Sequence, residues 1–262
     1  MQASNRRFIA ALLLVPSVVN AAPPAGSHIS FVSCPILRDT RSVPCWLSDY
    51  RSDRYYLTIQ SDVSAAVQPP YLGHKVLVEG VVTNEPQICG GIVLSGVHLS
   101  VMPELDANCN EQLPAEDRYV VDFNPRPPGP SAGRLAFAAA PGATRAPAAP
   151  REGPQTINIY FDFDHGVSFR HPSALSSVLN AAKQIGAKRM NIVGVRGAHH
   201  LSDGTLLQEA ANTGQRRAQE IAGLLKGAGL DLPGTVTWTS GERDADGVDD
   251  WQSRRVTVEL LP

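Results

Sequence analysis

The sequence predicts an α+β protein in two parts, and three observations predict it. The first half carries short runs of alternating apolar and polar residues, punctuated by Gly and Pro pairs. The second half mixes such runs with two stretches of helical period. Between them lies a segment too rich in Pro and Ala to hold a core.

Residues 1–21 read as an export signal. Arg6 and Arg7 supply the positive start, Phe8 to Val19 the short apolar run, and Val19-Asn20-Ala21 the small residues of a cleavage site. The run is short for a span, which needs roughly 20 apolar residues, and no cysteine at the cut offers a lipid anchor. An uncleaved anchor is the rival reading. Of the 262 residues, 241 would remain after cleavage, enough for two modest domains. Losing two arginines takes the formal charge from −2 to −4. That balance argues against a nucleic-acid surface.

Residues 22–118 form the first expected domain. Ile29 to Val32, Tyr55 to Ile59, Lys75 to Val82 and Ile92 to Met102 are its strand candidates. Pro69-Pro70 and Gly90-Gly91 mark breaks between them. A small all-β barrel or sandwich closes so many short strands, and Lys75-Val-Leu-Val-Glu-Gly-Val-Val82 is similar to a strand of an OB-type barrel. Its four cysteines, Cys34, Cys45, Cys89 and Cys109, are an even set in an exported chain and read as disulfides. Three pairings are open; the shortest loops favour Cys34–Cys45 and Cys89–Cys109. Zinc is the weaker reading, because no Cys-x-x-Cys pair is present.

Residues 119–154 are the expected linker, extended by its prolines and able to let one end reach a partner while the other is held. Residues 155–262 form the second domain. Ile157, Ile159, Phe161 and Phe163 alternate as a strand. Pro172 suits the start of a helix lined by Leu175, Val178, Leu179, Ala182 and Ile185, which Gly186 ends. Met190 to Val195 read as a second strand. A second helix, capped at Ser202 or Asp203, runs to about Lys226 with Ala218, Ile221, Leu224 and Leu225 on one face. Thr235 to Thr239 and Arg255 to Leu260 are the last strands. The order βαβαββ implies helices on one face of a mixed sheet.

Three motifs in this domain, in this order, resemble the OmpA-like C-terminal domain family. They are Ile159-Tyr-Phe-Asp-Phe-Asp164, the step Arg216-Arg217-Ala218 on the second helix, and Arg254-Arg-Val-Thr-Val-Glu259. The resemblance covers about residues 155–262. It implies a periplasmic protein, at or near the outer membrane, that binds peptidoglycan without catalysis or cofactor. In the family, the arginine before the alanine grips a carboxylate of the peptide stem's diaminopimelate; here that is Arg217. A guanidinium fork suits a carboxylate, whereas Arg216 points elsewhere. The family's second anchor, an aspartate in a Gly-x-Thr-Asp pattern, holds the ligand's ammonium. Counted from Gly194, its place falls on Gly197. Counted from the helix, it falls on Asp203, which lies 14 residues before Arg217 and is the candidate; a plain helix cap is the competing role.

Other constellations are weaker. Adjacent His199 and His200 point to opposite sides of an extended chain, against a shared metal. Residues 244–250 resemble a calcium loop but lack its closing glutamate, and a solvated acidic loop is the default. Asp162 and Asp164 share a strand face as a catalytic pair would, yet no nucleophile motif accompanies them. Two functions remain: a wall-binding envelope protein with Arg217 and Asp203 as its site, or a protein–protein module of the envelope that has lost the wall ligand. In either case the β domain would contact another envelope protein.

Overall fold

The computed structural model describes residues 23–60, 67–121, 153–166, 170, 173–240 and 245–262. The expected signal segment, most of the 119–154 linker, Pro172 and Asp244 lie outside these residues.

The first domain holds β1 (His28–Ser33), β2 (Pro35–Arg38), β3 (Cys45–Tyr50), β4 (Asp53–Ile59), β5 (His74–Val82), β6 (Ile92–Leu105) and β7 (Gln112–Leu113). Its sheet runs β1-β5-β6-β4-β3-β2-β7, with β4 parallel to β6 and the long pairs antiparallel. β1 and β2 are one chain segment bent at Cys34, whose first half pairs with β5 and second half with β3. The sheet therefore closes on itself as a small barrel. Phe31, Trp46, Tyr55, Leu57, Val76, Val78 and Leu94 fill it.

The disulfides are Cys34–Cys109 and Cys45–Cys89, not the short-loop pairs. Strand register explains the correction. In the β2–β3 hairpin Arg38 lies opposite Cys45, while Pro35 lies opposite Ser48. Cys34 and Cys45 thus sit at opposite ends of one ladder, roughly 13 Å apart at about 3.3 Å per residue, beyond disulfide reach. Short loop closure loses to pairing geometry.

The second domain contains β8 (Gln155–Tyr160), α1 (Ala174–Ile185), β9 (Arg189–Arg196), β10 (Ala198–His200), β11 (Leu206–Gln208), α2 (Thr213–Gly227), β12 (Val236–Ser240), a 3-10 turn (Asp250–Ser253) and β13 (Arg255–Leu261). Its mixed sheet is ordered β12-β9-β13-β8. β13 buries every second residue, Val256, Val258 and Leu260, as period-2 patterning requires. These pack with Val178 and Ala182 of α1 and with Ala218, Ile221 and Leu225 of α2. Leu224 is exposed instead; the buried stripe is Arg217, Ala218, Ile221 and Leu225. Gly186, left-handed at φ 60°, ends α1. Gly194 on β9 and Gly214 on α2 lie so close that a side chain on Gly194 would overlap the helix backbone.

Asp203 does not cap the second helix. α2 starts ten residues later, at Thr213, and the intervening chain forms the β10–β11 hairpin. This hairpin docks the two domains. At its tip Ser202 exchanges backbone and side-chain hydrogen bonds with Ser30 of β1 (2.8 and 2.9 Å), and Ser30 Oγ donates to His200 O (3.1 Å). Leu201 and Phe163 pack on Leu77 of β5, with Val32, Met102 and Leu207 around them. The two domains therefore pack against each other through this hairpin.

Candidate functional site

Arg217 projects from α2 into the space between β9 and the turn after β8. Its side chain is 0 % exposed, as is that of its partner, Glu209. The two form a fork-to-fork pair: Nη1 donates to Oε2 at 2.7 Å and Nη2 to Oε1 at 2.5 Å. Nε donates to His165 O at 2.7 Å, Nη2 also to Asp162 O at 3.0 Å, and Nη1 also to Val195 O at 3.3 Å. A guanidinium has five N–H donors, and all five are committed. The Phe161 ring lies 4.8 Å from the guanidinium carbon and closes one face. Burial pulls the pKa of Arg217 below its ordinary value, against the opposing pull of Glu209.

Glu209 is equally saturated. Besides Arg217 it accepts the backbone N–H groups of Asp164 and Gly197, each at 2.7 Å. Gly197 is the place where the family's aspartate falls when counted from Gly194. A Cβ there would lie 2.5 Å from Arg254 Cγ and 2.9 Å from Ser253 Oγ. No acidic side chain fits; the glycine lends its N–H to Glu209 instead.

Asp203, the other candidate, is exposed at the tip of the β10–β11 hairpin. Its Oδ1 accepts the N–H of Thr205 at 2.8 Å, an Asx turn. That backbone bond, with a side-chain bond from Thr205, holds its pKa below the usual carboxylate range. The structure gives Asp203 and Arg217 no shared cleft: one shapes a solvent-facing turn and the other lies in the interior. The expectation that Arg217 faces a groove with a free fork is corrected by Glu209, which already fills that fork.

The remaining motifs resolve into supports. Asp164, at φ 59°, accepts Thr213 Oγ1 at 2.6 Å and the N–H of Ala210 at 3.1 Å, fixing the entry to α2. Arg216 donates to Asp164 O at 2.8 Å from a half-exposed position. Asp250, in the acidic loop, accepts the N–H groups of His200, Asp246 and Gly247, so its oxygens clamp a turn. His199 is buried and His200 half-buried, on opposite sides of β10 as expected.

A second charged cluster, unforeseen in the sequence, spans the domain interface. Arg254 Nη2 donates to Glu79 Oε2 at 2.7 Å, and Arg170 Nη1 lies 3.5 Å from the same oxygen. His199 Nδ1 lies 3.6 Å from Glu79 Oε1 and 3.7 Å from Asp250 Oδ2. Burial raises the pKa of Glu79, but Arg254, Arg170 and His199 outweigh it and hold the carboxyl below the ordinary value. Glu79 shares the outer face of β5 with Leu77, against the second domain, where an acid in an alternating strand fits the pattern and nothing local in the sequence marks it.

No family profile and no curated protein matches this chain. Among solved structures, it is similar to the OmpA-like domain of FopA1 from Francisella tularensis subsp. tularensis SCHU S4, at 16 % identity, over 42 % of this chain and 75 % of that one, with a TM-score of 0.31. A likeness this loose transfers no residue role.

Proposed function

We propose that the chain is a non-catalytic cell-envelope protein whose OmpA-like C-terminal domain carries an internally occupied arginine site and serves protein–protein contact. The carrying observation is the Arg217–Glu209 pair, with all five guanidinium donors spent inside the protein. A wall peptide's carboxylate would need the same fork, and Glu209 presents a tethered carboxylate that competes at far higher effective concentration. The docked hairpin supports this reading, because it binds the segment that bears Asp203 to the β domain. Two disulfides accord with an oxidising compartment such as the periplasm. The ring of strands, with β4 parallel to β6, supports reading the first domain as OB-like, a surface for a protein partner of the envelope.

Sedimentation with purified peptidoglycan sacculi tests this. The full chain is expected to remain in the supernatant, with and without free diaminopimelate. Saturable co-sedimentation that diaminopimelate competes away would restore wall binding through the stem peptide. Release of soluble fragments from the sacculi would overturn the non-catalytic reading.

A further inference from the structure

The domain interface holds a cleft of about 310 Å³, walled by Ser30, Glu79 and Ser95 from the barrel and by Arg170, His199 and Trp251 from the second domain. That volume is at the small end of ligand clefts, roughly 300–1,000 Å³, and suits one sugar or amino acid.

Two guanidinium groups converge on one carboxylate beneath it. Arg170 and Arg254 share one carboxylate, Glu79, and the three side chains are 2 %, 0 % and 10 % exposed. Asp250 accepts three backbone N–H groups and Asp249 accepts Trp251 Nε1, at 3.0 Å, while Asp162 and Asp249 add negative charge near Arg170. What the cluster lacks is acceptors for its buried guanidinium donors, which are costly to leave unmet. Neither Nη1 nor Nη2 of Arg170 has a hydrogen-bond acceptor, and neither ring nitrogen of His199 has a hydrogen-bond partner, among the described residues. Arg170 is held in place by stacking on Trp251, 4.5 Å from the ring centroid, and by its 3.5 Å approach to Glu79. Its planar fork is thus held beside the cleft, buried and without a hydrogen bond.

We infer that this interdomain cleft binds a small carboxylate-bearing molecule, whose anion supplies the acceptors that the Arg170 fork lacks. The carboxylate class follows from the fork, which takes two coplanar oxygens. A phosphate dianion meets stronger repulsion from Glu79 and Asp249 than a carboxylate does. A modest turn of the Arg170 side chain toward the cleft completes the contact. The ligand touches both domains, so its binding tightens their docking.

Thermal unfolding and calorimetric titration of the full chain, with acetate, D-glucuronate, inorganic phosphate and neutral glucose as probes, test the inference. Glucuronate and acetate should raise Tm saturably, glucuronate with a Kd on the order of 1 mM. Glucose and phosphate should do less at equal ionic strength. Arg170→Gln should weaken glucuronate by about tenfold or more. Ser95→Phe, which fills the mouth without touching the triad, should abolish binding while leaving the fold intact by circular dichroism. Equal shifts from all four probes, or glucuronate binding unchanged in Ser95→Phe, would overturn the inference. So would the lack of any saturable shift in the unmodified chain.

Discussion

Replacing Glu209 with alanine isolates the feature on which the account turns. The substitution strands a fully buried guanidinium and leaves the N–H groups of Asp164 and Gly197 without their acceptor. Breaking a buried ion pair by removing one partner costs about 3–5 kcal/mol. For a folded body of this size each kcal/mol moves Tm by about 2–4 °C, so Glu209→Ala should lower Tm by about 6–20 °C. The vacated space has the shape of a carboxymethyl group, which makes acetate a chemical rescue. If acetate binds there with a Kd of roughly 10 mM, then roughly 100 mM restores about 1.4 kcal/mol, or several degrees. Differential scanning fluorimetry in matched chloride and acetate buffers measures both effects. The interdomain cleft also responds to acetate, so the informative quantity is the extra rescue of Glu209→Ala over the unmodified chain, repeated in the Ser95→Phe background. A Tm within about 2 °C of the unmodified protein would mean that Arg217 finds another partner or water, and would refute the sealed-site reasoning.

Two further predictions follow from the same geometry. Peptide mapping of the non-reduced protein should recover Cys34–Cys109 and Cys45–Cys89, and reduction should cost about 2–5 kcal/mol by chemical denaturation; short-loop peptides Cys34–Cys45 and Cys89–Cys109 would contradict the barrel register. Burial first, with Arg254 and Arg170 adding to it against Glu79 and Asp250, holds the pKa of His199 below 6.5, so the unfolded chain takes up a proton that the folded chain refuses. Stability should accordingly fall as pH drops from 7 through 6.5. His199→Gln should flatten that slope while leaving the loss at lower pH, where Glu79, whose folded pKa lies below 4.5, becomes protonated. Identical slopes in both proteins would exclude His199 as the source.

Much of the architecture was legible because it rests on local periodicity. Val256, Val258 and Leu260 declare their strand by alternation, and Ala218, Ile221 and Leu225 declare the inner face of α2. The disulfides were not legible, because pairing depends on strand register and not on loop length. The hairpin at 198–208 was hidden too. Its two short strands carry no repeat long enough to stand out, and Ser202-Asp203 imitates a helix cap while forming a hairpin tip. The site was half visible. Arg217 stood out by its motif, but nothing local marks Glu209, eight residues upstream, as its partner. Only the folded path of the chain between β9 and α2 brings that carboxylate to the guanidinium. Glu79, Arg170 and Arg254 likewise come from three distant segments and meet only because the domains dock.

The most direct measurement is the exchange of the Arg217 guanidinium protons, followed by nitrogen-15 NMR of the full chain labelled at arginine. A sealed fork predicts slow-exchanging, individually resolved Nη resonances for Arg217 at neutral pH, unmoved by millimolar diaminopimelate. Rapid exchange with water, together with a saturable shift on adding diaminopimelate, would show the fork open to a wall ligand and contradict the account.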